Sequence, residues 1–138
     1  MYKLRRPGNS AEGNSMADHP APLLITGASR GIGEATARLF AQKGHRVALL
    51  ARSVAAVERL ADEIGGLPIP CDVADEPAVR QAVHKSATEF GGIGIVINNA
   101  GTLQPAERIL DTKPSDWTRN IEVNLFGPLY VLRYAVPF

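Results

Sequence analysis

Along the chain, short continuous apolar runs alternate with stretches whose apolar residues recur at helical spacing. Leu23-Leu24-Ile25 is the first run, and it stops at Gly27. Ile32, Ala35, Leu39 and Phe40 then share one face of a predicted helix, with Gly44 as its stop after Lys43. Val47-Ala48-Leu49-Leu50 is the second run, followed by a helix lined by Val54, Val57, Leu60, Ala61 and Ile64 and ended by Gly65-Gly66. Leu67 to Cys71 is the third. Asp75 is placed to cap a helix carrying Val79, Ala82, Val83, Ala87 and Phe90, with Pro77 tolerated in its first turn. Gly91-Gly92 breaks that helix, and Ile93 to Ile97 forms the fourth run. A loop from Thr102 to Lys113 leads to a last helix from about Pro114, where Trp117, Ile121, Leu125 and Leu129 make a stripe widened by Val131, Leu132 and Ala135.

Runs this short and apolar throughout suit strands buried on both faces, which predicts an α/β fold with a parallel sheet and helices on both sides. Right-handed crossovers then favour a doubly wound order. In that architecture ligands sit beyond the carboxyl ends of the strands, where Gly27, Arg52, Asp72 and Asn98 all fall. Residues 1–21 are rich in Gly, Asn, Ser, Pro and charge and lack periodicity, so a disordered tail is expected there, with Met16 a candidate start and the domain spanning 22–138.

Composition adds limits. The 138 residues are 45% hydrophobic and 21% charged, ordinary values for one globular domain. The net charge of +1 arises from Lys3, Arg5 and Arg6 near the start, so the remainder is close to neutral and no nucleic-acid partner is expected. No run approaches the roughly 18 apolar residues of a membrane span, and no signal-peptide core follows the basic start. Cys71 is the sole cysteine and cannot form an internal disulfide. These features point to a cytoplasmic protein. His19, His45 and His84 lack metal-ligand spacing, so no metal site is expected.

The candidate chemistry starts at Thr26-Gly27-Ala28-Ser29-Arg30-Gly31-Ile32-Gly33, between the first strand and the first helix. Glycines allow close backbone approach, and the helix start offers N–H groups to an anion. The spacing is Gly-x-x-x-Gly-x-Gly rather than the commonest dinucleotide fingerprint. Two further motifs follow in order: Asn98-Asn99-Ala100-Gly101 after the fourth run, and Asn124 within Val123-Asn124-Leu125-Phe126-Gly127. Together they resemble the short-chain dehydrogenase/reductase family, classical type, over about residues 22–138.

The resemblance implies a Rossmann-like doubly wound sheet whose first four strands lie in order 3-2-1-4. It places a nicotinamide dinucleotide on Gly27, Ser29, Arg30, Gly31, Ile32, Gly33, Arg52, Asp72, Val73, Asn98, Ala100 and Gly101. Within that set the Asp72 side chain would accept from the adenine amine, and the Val73 main chain would contact the ring. NAD sites of this kind usually carry an acidic residue about 20 positions beyond the glycines. Here the position reads Ala51-Arg52-Ser53, and Arg52, with Arg30 on the same side, suits the 2′-phosphate of NADP; NAD is the less favoured cofactor. Asn124 matches the family's catalytic asparagine, which holds a water in a proton relay. Pro128, four residues on, has no N–H to donate to the Asn124 carbonyl.

The activity so implied is NADP-dependent hydride transfer on a small carbonyl or alcohol substrate, in a homo-oligomer when full length. The family's serine and Tyr-x-x-x-Lys pair lie beyond the fourth strand and its helix, and Tyr130 is followed at that spacing by Tyr134. The expectation is therefore a cofactor-binding half, truncated after the fourth strand and following helix, inactive by itself and with an association-prone fourth strand. The alternative is a non-catalytic dinucleotide- or partner-binding module. A methyltransferase-like fold is disfavoured by Arg52, where an acidic residue is usual.

Overall fold

The computed structural model describes residues 20–138; of the tail expected over residues 1–21, residues 1–19, with Met16 and His19, lie outside them, while the Ala21 carbonyl lies 2.7 Å from His45 Nδ1. Four strands, β1 (Leu23–Thr26), β2 (Val47–Ala51), β3 (Leu67–Pro70) and β4 (Ile95–Ile97), form one parallel sheet in order β3-β2-β1-β4. The crossovers are α1 (Gly31–Gln42), α2 (Val54–Ile64) and α3 (Glu76–Phe90). After β4 a long loop leads to α4 (Pro114–Ile121), a π-helical turn over Glu122–Phe126, and α5 (Gly127–Ala135). The alternation read from the apolar runs is thus the architecture observed, with the strand order implied by the resemblance.

Burial on both sides of the sheet follows from the run of apolar residues in β1 and β2. Leu24, Ala48 and Leu50 point into a core shared with Val79 and Val83 of α3 and Val131 of α5. Leu23, Ile25 and Leu49 point the other way, against Ala37 of α1 and Val57 and Leu60 of α2. Burying each leucine fully stabilises the fold by about 1.5–3 kcal/mol. β3 carries Pro68 and Pro70, which an edge strand can hold because one of its flanks needs no ladder hydrogen bonds. Helix ends follow the signals in the chain: Gly65 and Gly91 close α2 and α3 in the left-handed conformation, and the Asp75 carboxylate accepts from the Ala78 N–H at 3.1 Å.

Two helical faces differ from the pattern. The buried residues of α1 are Gly33 and Ala37, whereas Ile32 and Leu39 are exposed. Gly33 sits against the turn that precedes the helix, so the helix packs by its smallest residue and Ile32 is rotated outward. In the last helix the buried line is Val123, Gly127, Val131 and Ala135, and the stripe Trp117, Ile121, Leu125 and Leu129 is exposed. The π-helical turn inserts a residue into that helix and rotates its two halves relative to each other. Gly127 lies where a Cβ would come within 3.0 Å of Val73, so the inward line there is again small. Boundaries shift slightly: β3 ends at Pro70 rather than Cys71, and β4 begins at Ile95 rather than Ile93. The Pro22 carbonyl accepts from the Gly94 and Ile95 N–H groups just before β4 starts. None of the helices among the described residues is long and apolar enough to cross a membrane.

Candidate functional site

The glycine turn is tied to the sheet by one threonine and one asparagine. Thr26, the last residue of β1, is almost fully buried, and its hydroxyl oxygen accepts from the Asn99 N–H at 3.1 Å and the Ala100 N–H at 3.0 Å. In return the Asn99 side-chain amide donates to the Thr26 carbonyl at 3.0 Å and the Gly27 carbonyl at 3.2 Å. Gly27 has φ of +68°, and a Cβ on it would lie 2.8 Å from the Ala100 Cα. A Cβ on Gly33 would run into the Gly27 carbonyl oxygen. Both glycines are therefore required by contact, Gly27 by its backbone conformation as well.

The ends of the four strands open into a cleft of about 1230 Å³. Gly27, Ser29, Arg30, Gly31, Ile32, Arg52, Asp72, Val73, Ala100 and Gly101 line it, so most of the residues singled out from the motifs come together in one place. Gly33 is not on its surface; it is buried beneath the turn and sets the shape of the wall. Asn98 is exposed just past β4 and off the cleft, while its neighbour Asn99 lines it. Successive residues of an extended segment point to opposite sides. That rule separates Asn98 from Asn99 but leaves open which of them faces the turn.

Arg119 belongs to none of the sequence motifs, yet it lines the same cleft. Its Nη2 donates to Asp72 Oδ2 at 2.6 Å, and its Nη1 is 3.7 Å from Glu122. The other carboxylate oxygen, Asp72 Oδ1, accepts from the Ala74 N–H at 3.0 Å. Burial pushes the Asp72 carboxyl up, but the Ala74 N–H, the Arg119 guanidinium and the Arg52 charge outweigh it and hold the group below the ordinary carboxylate range. Nothing in the linear sequence pairs Arg119 with a residue so far upstream. Cys71, also on the cleft wall, is pushed up to about 11 by burial and by the nearby Asp72 and Asp75 carboxylates. At neutral pH it is a thiol and a poor nucleophile.

Asn124 lies in the π-helical turn and is not on the cleft lining. Its side chain clamps the loop after β4: Oδ1 accepts from the Thr102 N–H at 2.8 Å, and Nδ2 donates to the Thr102 carbonyl at 2.6 Å. Both ends of the amide are thus engaged with backbone, with one donor and one acceptor site left over. Its main-chain carbonyl cannot receive the usual helical hydrogen bond, because Pro128 has no N–H; the Gly127 N–H instead reaches back to the Glu122 carbonyl, closing the wider turn. Among the described residues no group of three His, Cys, Asp or Glu side chains is placed to hold a metal ion.

The family model described as short chain dehydrogenase matches residues 22–138. A short chain dehydrogenase of Aspergillus terreus, tazN, is 38% identical over 124 residues, covering 83% of this chain and 27% of that protein. Among solved structures, the 3-ketoacyl-(acyl-carrier-protein) reductase of Brucella melitensis complexed with NADH superposes with a TM-score of 0.83 at 33% identity, over 86% of this chain and 50% of that one. A metagenomic short-chain oxidoreductase in complex with NADP gives 0.77 at 34% identity, over 84% and 55%. The chain spans about half of each of these two structures and less of the fungal relative.

Proposed function

The chain belongs to the short-chain dehydrogenase family, and on that premise we propose that it binds a nicotinamide dinucleotide in the cleft at the strand ends, NADP in preference to NAD. The observation that carries this reading is the convergence of a glycine turn, two arginines and an aspartate from three strand ends on one cleft. The volume and the side-chain-free wall at Gly27 and Gly31 suit an extended ligand with a pyrophosphate, which the start of α1 would hold through backbone N–H groups. Arg52 and Arg30 would take the 2′-phosphate, Asp72 and Val73 the base. Ala100 and Gly101 leave the floor open beside β4.

When bound, the nicotinamide supplies a hydride donor or acceptor. This chain's residues orient it and shape the approach of a carbonyl or alcohol substrate, which is the activity proposed for the whole protein, a homo-oligomer. Asn124 fixes the loop at Thr102, and Pro128 withholds the usual helical donor from its main-chain carbonyl, which suits an anchor for a relay water.

Calorimetric titration with NADPH and NADH tests the assignment. The parent protein should bind NADPH more tightly, and Arg52→Asp should lose about tenfold or more for NADPH while changing NADH affinity by about twofold or less, since a charge-assisted bond to phosphate becomes a like-charge contact. Equal losses for the two would remove Arg52 from the phosphate site and with it the NADP preference.

A further inference from the structure

We propose that Arg119 is the positioning residue of a purine subsite, holding Asp72 so that the remaining lone pairs of its carboxylate accept from a 6-amino group and turn away a 6-oxo group. The proposal rests on the nicotinamide-dinucleotide reading above and adds a determinant of which base that dinucleotide carries.

An ionised carboxylate offers about four acceptor sites and no donor. Two are taken here, one on each oxygen: Oδ1 by the Ala74 N–H and Oδ2 by the Arg119 guanidinium. A carboxylate bound at both oxygens cannot rotate freely, so the free lone pairs keep a fixed direction, and Asp72 is itself part of the cleft wall. The backbone donor alone would leave the second oxygen to swing. The guanidinium removes that freedom, and Glu122, at the start of the π-helical turn that follows α4, forms an ion pair with its other nitrogen at 3.7 Å.

A purely structural role fits the geometry less well. Arg119 and Asp72 side chains are 39% and 35% exposed, and ion pairs of that exposure add little to folding stability. Neutralisation is not the purpose either, because Arg52 also lies close enough to lower the Asp72 carboxyl. What Arg119 contributes is direction: a planar guanidinium on α4 whose Nη2 donates to Asp72 Oδ2 while Nη1 faces Glu122. An oriented acceptor discriminates strongly between a ligand that donates at that point and one that presents an oxygen, since the latter leaves two acceptors facing each other.

The test is binding rather than turnover: calorimetry of the purified protein with NADPH and with its hypoxanthine counterpart, in which a 6-oxo group replaces the 6-amino group. The parent should bind the adenine form about tenfold more tightly, the worth of one hydrogen bond to a charged group. In Arg119→Gln that ratio should fall to about twofold, with the NADPH-to-NADH ratio unchanged, because the latter is set at Arg52. Arg119→Lys, which keeps the charge but replaces the planar guanidinium held between Asp72 and Glu122 by a rotating ammonium, should fall between the two. If Arg119→Gln does not fold by circular dichroism, the Lys variant decides: a reduced ratio supports the proposal and an unchanged one overturns it. Equal weakening of both ligands in Arg119→Gln overturns it in favour of a structural tether. A parent that binds both forms equally overturns the proposal and leaves the functional reading standing, whereas a parent that binds neither form overturns both.

Discussion

Replacing Thr26 by valine isolates the hydroxyl that joins β1 to the segment after β4. The two side chains have nearly the same shape, so no cavity opens and the change is one acceptor. That acceptor serves two backbone donors, the Asn99 N–H at 3.1 Å and the Ala100 N–H at 3.0 Å, in surroundings where Thr26 is 1% exposed. A buried donor left without a partner costs about 1–3 kcal/mol. Asn99 and Ala100 are half-buried, which puts each donor near the lower end, about 2 kcal/mol for the pair. The methyl that replaces the hydroxyl recovers about 0.8 kcal/mol of apolar burial. The net destabilisation should therefore be about 1 kcal/mol, readable as a lowered urea midpoint with unchanged slope by far-ultraviolet circular dichroism. Thr26→Ser is the control: it keeps the acceptor and loses one methyl. A valine variant as stable as the parent, together with a less stable serine variant, would refute the reasoning, because the methyl rather than the hydroxyl would then be what matters. The clamp also shapes the cleft, so the valine variant should bind NADPH more weakly than the serine variant.

Two further outcomes follow from the same geometry. Gly33→Ala forces a methyl onto the Gly27 carbonyl and the Asn99 amide, an overpacking expected to cost about 1–3 kcal/mol and to weaken dinucleotide binding, measured by denaturation and titration in parallel. The Cys71 thiol is raised in the fold from an ordinary value of 9.0 to about 11, so the unfolded chain loses this proton first as pH rises. Stability should decline between about pH 9 and pH 11 by an increment that Cys71→Ala lacks, and a parallel pH profile for the two proteins would argue against burial of the thiol.

The sequence was most legible where local chemistry and global architecture agree. Four apolar runs ending in polar or glycine residues sufficed for the sheet and for the edge at which a ligand would sit, because a strand buried on both faces leaves few polar positions except at its ends. Asp75, Gly65 and Gly91 likewise act where their side chains, or lack of them, dictate. Helix faces were less legible. For α1 the periodicity of Ile32 and Leu39 suggested a buried stripe, but contact between Gly33 and the turn outweighs the burial of larger side chains. For the last helix Pro128 signalled a lost hydrogen bond, yet not the inserted residue that turns Trp117, Ile121, Leu125 and Leu129 away from the core. Long-range polar pairings were not legible at all. Asn99 and Arg119 earn their roles through partners that only the fold brings near, and either would pass in the sequence for an ordinary turn or surface residue.

The knot formed by Thr26, Gly27 and Asn99 separates two properties that an engineer would want to change one at a time. The proposed phosphate cradle is built from main chain, and its shape is held by hydrogen bonds into the centre of the sheet. Arg30 and Arg52 stand outside that knot, exposed on the rim. On the function proposed, exchanging the rim residues should retune whether a 2′-phosphorylated ribose is accepted while the cradle stays intact. Any attempt to reshape the cradle itself must also unpick the junction of β1 with the segment that follows β4.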